Sequence, residues 1–440
     1  MNYHVFLNYF VVFCFALLFP ALSSGQSIRL LFCGDFIPHK GVKRSAIAAN
    51  RTSGNGQSTN YGGFYNSLSD LKNLTKSADV SFCNLETPVV KPPAGDPYCF
   101  KTRGDFYFKA PPVAIDALKW AGFSVVSLAN NHIDNAGVKG IISTLDILKK
   151  KKITAVGAGH TYAQAHDPVI ITVKGIKIAF LAFCSSRLGN SLNVKDQEKP
   201  HVCRVDPRDN SVSELYEDIS YAKAQADLVV LSFHWGPYEY KYEPADYIVK
   251  FGRECAERGV SIIAGHHPHV LQKAEYYKCK DGRKAFIMWS LGNMISNQSP
   301  KYDPSVSKNS SASEKKARRR EGAAVIVTID SKSQPVVTAN SGLGVQANVS
   351  VNPHVGLPIG SQIEMHTPNN EGARMVVSNV VVAPLWTDNN YLAYAKGVEE
   401  ARVSVISVNH EINRLQDRIT FLKKRRKRIK LSLQGKLQNK

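Results

Sequence analysis

The sequence predicts an α/β protein with a layered β core flanked by helices and a long helix near its C-terminal end. From residue 27 onward, short apolar runs typical of buried strands alternate with segments of helical periodicity. Beyond residue 293, most of the apolar runs are typical of strands. Near the end of the chain, apolar residues recur at spacings of three and four, which is typical of a coiled-coil seam.

The alternation of strands and helices runs through residues 27–264. A hairpin is predicted where two strand-like runs meet at Lys174-Gly175. Alternation of this kind predicts helix layers packed on a sheet core. The predicted strands are 28–33, 80–83, 124–128, 153–156, 168–172, 176–183, 228–233 and 260–264, and the predicted helices are 71–77, 113–121, 140–150, 214–225 and 245–258.

The segment after residue 293 is expected to complete the same domain, which we assign to residues 27–395. Within it, residues 300–322 are polar and Ser-rich and then basic, which predicts a basic surface insertion. The β-rich runs are 323–328, 335–338 and 375–382.

Residues 397–440 are predicted to form a heptad helix with a basic tail. Its apolar seam favours a two-stranded parallel coiled coil, and therefore a homodimer through residues 398–429. A helix that folds back onto its own domain is the alternative.

Residues 1–25 are predicted to be a signal peptide, because an apolar stretch is followed by small polar residues. An uncleaved membrane anchor is the alternative. We therefore expect an exported protein that is periplasmic, attached to the cell envelope or secreted.

Seven cysteines lie outside the predicted signal peptide. Those in strand-like runs, such as Cys33, are expected to behave as small core residues. Cys99, Cys203 and Cys279 lie in polar surroundings and could form a disulfide in an oxidising compartment.

The charge of the chain points to an anionic partner. The formal net charge is +20, and the last twenty residues hold nine Lys or Arg and no acidic residue. Such blocks attract acidic polymers or lipid headgroups, so a capsule polymer, a membrane or an envelope complex is the expected partner. Nucleic acid is not expected for an exported protein. A solvated tail without a partner is the alternative.

Five predicted strands end in polar residues that do not suit a core. The carboxyl edge of an α/β sheet is where sites are built, and carboxylate, amide and imidazole groups suit a divalent metal. Taken singly, each residue could instead cap a turn or a helix, or be a satisfied core histidine. The residues are Asp35, Asn84, Glu86, Asn130, Asn131, His132, His234, His266, His267 and His269.

Over about residues 28–293 this series resembles the bacterial capsule synthesis protein CapA family, the poly-γ-glutamate synthesis proteins. The resemblance implies the layered fold of the calcineurin-like metallophosphoesterases. The motifs that carry it are Phe32-Cys33-Gly34-Asp35, Asn84-Leu85-Glu86-Thr87-Pro88, Ala129-Asn130-Asn131-His132, Ser232-Phe233-His234-Trp235-Gly236, Gly265-His266-His267-Pro268-His269 and Ser290-Leu291-Gly292-Asn293.

The resemblance also implies a site that holds a divalent ion (Mn, Zn or Fe), with His132 as the proton donor to a leaving group and a metal-activated water as the nucleophile. The implied metal ligands are Asp35, Glu86, Asn131, His234, His267 and His269, and additional candidates are His39, Asn84, Asn130 and His266.

The chain departs from the phosphoesterase pattern at three points. The first strand lacks the usual Asp-x-His, for which His39 could substitute, and Glu86 stands where phosphoesterases have Asp. The last motif has one residue more than Gly-His-x-His. Whether His266 or His267 faces the metal is therefore open, with His267 favoured.

The function implied is capsule or poly-γ-glutamate biosynthesis, by a metal-dependent hydrolase that acts on an acidic envelope polymer or a phosphoester. The alternative is a non-catalytic polymer-binding or export subunit of a capsule synthesis complex. A phosphatase or nucleotidase is a weaker third option, because one fold hosts several activities.

Overall fold

The computed structural model describes ten helices and sixteen strands within the residues 26–52, 62–96, 99, 101, 108–186, 199–209, 212–302, 311–331, 375–389, 403–407 and 419–434. The predicted signal peptide, the predicted strand 335–338 and most heptad positions lie outside the described residues. Among the described helices, none combines the length and the apolar character needed to cross a bilayer.

The strands are β1 (Ser27–Phe36), β2 (Val80–Leu85), β3 (Val125–Ser127), β4 (Thr154–Val156), β5 (Ala158–Gly159), β6 (Val169–Val173), β7 (Ile176–Cys184), β8 (His201–Val202), β9 (Leu228–His234), β10 (Ile262–His266), β11 (Ala274–Lys278), β12 (Lys284–Met288), β13 (Asn293–Ile295), β14 (Glu321–Ser331), β15 (Met375–Asn389) and β16 (Val403–Ser407). The helices are α1 (Lys40–Thr52), α2 (Gly62–Leu68), α3 (Leu71–Thr75), α4 (Pro112–Trp120), α5 (Gly137–Lys151), α6 (Tyr162–His166), α7 (Val212–Gln225), α8 (Asp246–Arg258), α9 (Ser311–Arg318) and α10 (Ile419–Leu433).

Two large sheets form the centre of the fold. The first has the strand order β16-β15-β14-β1-β2-β3-β4, with β13 paired to β1, and the second has the order β11-β12-β10-β9-β7-β6. Strands β1 to β4 are parallel, and so are β7, β9, β10 and β12. The predicted α/β fold with a layered β core flanked by helices is confirmed.

The alternation of side chains along β9 explains the layering. Leu228 and Val230 face the core between the two sheets, whereas Val229, Leu231 and Phe233 face a second core that is shared with α7 and α8. Both faces of this strand are therefore buried, as its continuous apolar run requires.

The predicted continuous helix over residues 397–440 is wrong at residues 403–407, which form β16 and pair antiparallel with β15. Val403, Val405 and Ile406 are β-branched residues, which suit a strand at an open sheet edge, and sheet pairing outweighs the heptad pattern. The helix α10 does form, but Ile429 and Leu433 are buried where it contacts β14 and β15. This contradicts a dimer seam at Ile429 and agrees with the folded-back alternative.

The predicted basic surface insertion at residues 300–322 is also wrong for its last residues. Arg318 and Arg320 are buried, because each guanidinium stacks on an aromatic ring and Arg320 donates to three backbone carbonyls. Among the described residues of this segment, Lys301, Lys315 and Lys316 are exposed, as expected for a basic surface.

The disulfide considered for Cys99, Cys203 and Cys279 is not formed. All seven described cysteines are buried free thiols. Cys203, for example, donates to the backbone carbonyl of Ala165 over 2.9 Å.

Candidate metal centre

The polar strand ends meet because the strand registers align them. In the first sheet, Asp35 of β1 lies opposite Asn84 of β2 and Asn293 of β13. In the second sheet, His234 of β9 lies opposite His266 of β10. The carboxyl ends of parallel strands from both sheets therefore enclose one volume.

Two glycines allow this close approach. A Cβ on Gly34 would lie 1.9 Å from the carbonyl oxygen of Gly292, and one on Gly265 would lie 2.1 Å from that of Trp289. Backbone therefore packs directly against backbone beside Asp35 and His266, and only glycine fits.

Glu86 is at the middle of the cluster. Its Oε1 lies 3.6 Å from His269 Nε2 and 3.8 Å from the Nε2 atoms of both His132 and His234. The carboxylate is fully buried, and this oxygen has no hydrogen-bond partner. Burial raises the pKa of Glu86 well above its ordinary value.

Asp35 is held by a different set of contacts. Its Oδ1 accepts from Asn84 Nδ2 over 2.9 Å and lies 3.1 Å from His266 Nδ1, and its Oδ2 lies 3.1 Å from His269 Nδ1. Burial alone would raise the pKa of Asp35, but His266 and His269 hold it well below its ordinary range. Asp35 is therefore the permanent negative charge of the site.

The contacts of His269 define its tautomer. Nδ1 lies 3.1 Å from both Asp35 Oδ2 and Asn293 Oδ1, which are acceptors, so Nδ1 carries a proton. Nε2 then faces Glu86 Oε1. Although burial opposes it, the charges of Glu86 and Asp35 raise the pKa of His269 to about 9.

A second group of ligand-type atoms surrounds His234. Its Nε2 lies 2.7 Å from Asn131 Oδ1 and 3.2 Å from His267 Nδ1. Burial lowers the pKa of His234 well below its ordinary value and that of His267 to about 4. Both rings are therefore neutral near pH 7, and each has one nitrogen with a free lone pair.

The loop after β10 carries backbone strain. His267 has φ of 95° and His269 has φ of 55°, in the left-handed region that non-glycine residues rarely adopt. Strain of this kind clusters at functional sites. It turns the two imidazoles in a direction that regular strand alternation would not allow.

His132 stands at the edge of the cluster. Its Nδ1 donates to Asn135 Oδ1 over 3.0 Å, its ring packs on Phe108 at 4.3 Å between centroids, and its Nε2 points towards Glu86. Burial lowers its pKa. The neutral ring therefore presents a bare Nε2 to the site.

Three additional candidates support the cluster without the geometry of ligands. Asn84 Nδ2 donates to Asp35, and Asn84 Oδ1 accepts from Asn130 Nδ2 over 3.1 Å. Asn130 also accepts from the backbone N–H of His132 over 3.2 Å. His39 accepts from the backbone N–H of Asn297 and packs on Phe108, and its pKa is lowered by burial and by the nearby charges of His269 and His132.

His266 is fully buried and lies 3.1 Å from Asp35. His267 lies 3.2 Å from His234, so both histidines of the lengthened motif face the cluster.

Two residues of the cluster were not predicted from the sequence. Asn293 orients His269, and Glu239 Oε1 lies 4.0 Å from His269 Nε2. Asn293 had a signal, because it ends the polar run Ser290–Asn293, but nothing in the sequence singled out Glu239.

The residues present fit a metal ion. Asp35, Glu86 and His269 offer ligand atoms within 4.8 Å of one another. Atoms that bind one ion at about 2.1 Å stand roughly 3.4 Å apart, close to the separations around Glu86 Oε1. A buried carboxylate oxygen without a donor, facing imidazole nitrogens, is the arrangement that a cation between them would stabilise.

The chain is similar in sequence to two Bacillus proteins that are both named CapA. The chain is 31% identical over 223 residues to the capsule biosynthesis protein CapA of Bacillus anthracis, covering 51% of this chain and 52% of that protein. It is 35% identical over 187 residues to the PGA biosynthesis protein CapA of Bacillus subtilis, covering 42% and 46%. The chain thus spans about half the length of the curated relatives it matches.

A solved structure of a hypothetical protein from Thermus thermophilus aligns with 70% of this chain and 94% of its own, at 13% identity and a TM-score of 0.36. The family model of the bacterial capsule synthesis protein PGA_cap matches residues 29–298, which hold every residue of the cluster described above. The chain belongs to the bacterial capsule synthesis protein PGA_cap family.

Proposed function

We propose that this chain is a metal-dependent hydrolase that acts in the synthesis of an anionic capsule polymer of the poly-γ-glutamate type. The observation that carries the proposal is Glu86 Oε1, buried, without a donor and 3.6 to 3.8 Å from three imidazole nitrogens. The names of the relatives, which refer to capsule and PGA biosynthesis, support the choice of polymer.

Two groups of ligands share Glu86 in this proposal. Asp35 and His269 form one group with it, and His234, His267 and Asn131 form the other. A divalent ion such as Mn, Zn or Fe held there would act as a Lewis acid and lower the pKa of a water molecule towards neutrality. The lowered pKa values of His234 and His267 support the second group, because only neutral imidazoles bind metals.

His132 moves the proton in this proposal. Asn135 holds the proton on Nδ1, so Nε2 is free to accept a proton from the attacking water and to pass it to the leaving group. This extends the expected role of proton donor, because a neutral ring must first take up the proton that it delivers.

The envelope location belongs to the same proposal. Capsule polymers are built at the cell surface, and the expected signal peptide at residues 1–25 would direct the chain there. Protease accessibility of the protein in intact cells, compared with lysed cells, tests this location.

The test of the activity combines metal content and turnover. We expect the purified protein to retain a divalent metal and, when loaded, to hydrolyse a γ-linked glutamate oligomer. Glu86→Gln should lower metal content and turnover at least tenfold, whereas the matched control Asp146→Asn, which changes an exposed carboxylate on α5, should change neither. Unchanged metal content in Glu86→Gln, or no turnover by the loaded protein, would count against the hydrolase.

One observation favours a polymer-binding role as the second candidate. The side chains of Lys423, Lys424 and Lys427 are exposed on α10, and they form a basic surface outside the metal centre. Polymer binding that survives Glu86→Gln but falls in the double variant Lys423→Gln, Lys427→Gln would favour this role.

A further inference from the structure

Arg319 follows α9 directly and is tied to the metal centre through its backbone. Its carbonyl oxygen accepts from Asn293 Nδ2 over 2.9 Å, and Asn293 Oδ1 lies 3.1 Å from His269 Nδ1. Asn293 therefore fixes both the ring of His269 and the backbone of Arg319.

The side chain of Arg319 stacks on an aromatic ring beside the same histidine. Its guanidinium carbon lies 3.9 Å from the centroid of the Tyr240 ring, and that ring lies 6.2 Å from the His269 ring. Tyr240 has φ of 62°, a strained conformation that its N–H stabilises by donating to Pro268 over 2.8 Å. Tyr240 therefore contacts the guanidinium of Arg319 and lies near the ring of His269.

Arg319 differs from Arg318 and Arg320 in the contacts of its guanidinium group. Arg320 donates to backbone carbonyls, and Arg318 is buried over Tyr242. Arg319 is half-buried, its Nε is buried without a hydrogen-bond partner, and no carboxylate of the described ranges pairs with it. A cation that is positioned but unpaired beside a reaction centre is poised for an anion from outside the protein.

We infer that Arg319 binds a carboxylate of the substrate next to the group that is bound at the metal centre. The inference rests on the proposed function and adds to it a subsite for the free α-carboxylate of a neighbouring γ-linked glutamyl unit. A planar guanidinium matches a carboxylate with two parallel hydrogen bonds, and contact with the Tyr240 ring restricts the movement of the guanidinium. A phosphate offers the same oxygen geometry, so the test separates the two anions.

The test compares Arg319→Gln with the matched control Lys316→Gln, which removes the same charge from an exposed position of α9. The probes are a γ-linked glutamate oligomer, an uncharged analogue in which each free α-carboxylate is an amide (γ-linked isoglutamine), and p-nitrophenyl phosphate. We expect Arg319→Gln to keep its metal and its melting temperature but to bind the glutamate oligomer about 10- to 100-fold more weakly, as expected for the loss of charged hydrogen bonds.

Arg319→Lys should recover only part of the affinity, and Lys316→Gln should bind like the parent. Equal affinity in Arg319→Gln and the parent, an equal loss for the uncharged analogue, or a loss confined to the phosphoester would overturn the carboxylate subsite. So would a parent protein that holds metal but binds no glutamate oligomer. Loss of metal from the parent itself would instead contradict the proposed function.

Discussion

Replacing Glu86 by Gln should change the stability of the protein in opposite directions with and without metal. The substitution keeps the size of the side chain and removes a buried carboxyl group whose Oε1 has no hydrogen-bond partner. An unsatisfied buried polar group costs about 1 to 3 kcal/mol, and more when charged. In chelator, Glu86→Gln should therefore be more stable than the parent by an amount in this range.

Metal, if bound as proposed, should reverse this order of stability. At a metal concentration a thousand times Kd, binding stabilises the parent by about 4 kcal/mol, a contribution that the variant largely lacks. At roughly 2 °C per kcal/mol in a large domain, the parent should melt about 2 to 6 °C below the variant in chelator and rise by about 8 °C with metal.

The pH dependence of the difference has a defined sign. Burial raises the pKa of Glu86 above its value in the unfolded chain, so the folded protein holds this proton more tightly. The stability of the chelated parent therefore falls as the pH rises from the unfolded pKa through the folded pKa, and the advantage of the variant grows. Calorimetric scans of both proteins, with chelator and with added Mn or Zn, measure all three effects. A variant that melts below the parent in chelator, yet gains as much from metal, would refute the assignment of Glu86.

Three further outcomes are expected. Gly265→Ala should destabilise the protein by about 3 kcal/mol, because the new Cβ would lie 2.1 Å from the Trp289 carbonyl oxygen and the buried backbone cannot move aside. Urea denaturation measures the free energy of unfolding, and a loss below about 1 kcal/mol would contradict the prediction. Metal affinity should rise with pH up to about 9 and then level off, because the metal must displace the proton that His269 holds. Chelator competition at several pH values measures this affinity, and an affinity that does not change with pH would contradict the prediction. The seven described thiols should resist alkylation in the folded state and react after denaturation, and reductant should leave the melting temperature unchanged; mass spectrometry that finds a disulfide would contradict this.

The strand ends were predictable because each carries its polar residue in the same stretch as its strand. Asp35, Glu86 and His234 follow apolar runs, and parallel strands bring such ends together. The contribution of Asn293 was harder to foresee. It reaches the site only because β13 pairs with β1 across more than 250 residues of chain, a long-range register that no local pattern encodes.

The C-terminal segment shows the opposite difficulty. Its spacing of three and four suits a helix, yet residues 403–407 have β-branched residues that an open sheet edge can use. Local periodicity does not show whether the edge of a sheet lies beside the segment in the folded protein. The outcome depends on β15, whose exposed edge competes with helix formation.

The lengthened histidine motif could not be resolved from spacing, because its backbone leaves the strand midway. His266 is the last residue of β10, so its direction follows strand alternation and brings it to Asp35. His267 has φ of 95°, which breaks the alternation and turns its ring to His234 instead. Two adjacent histidines therefore serve opposite halves of the cluster, where strict alternation would have sent only one of them inward. The extra residue of the motif enlarges the centre by one imidazole, and the cost is the left-handed backbone of His267 and His269.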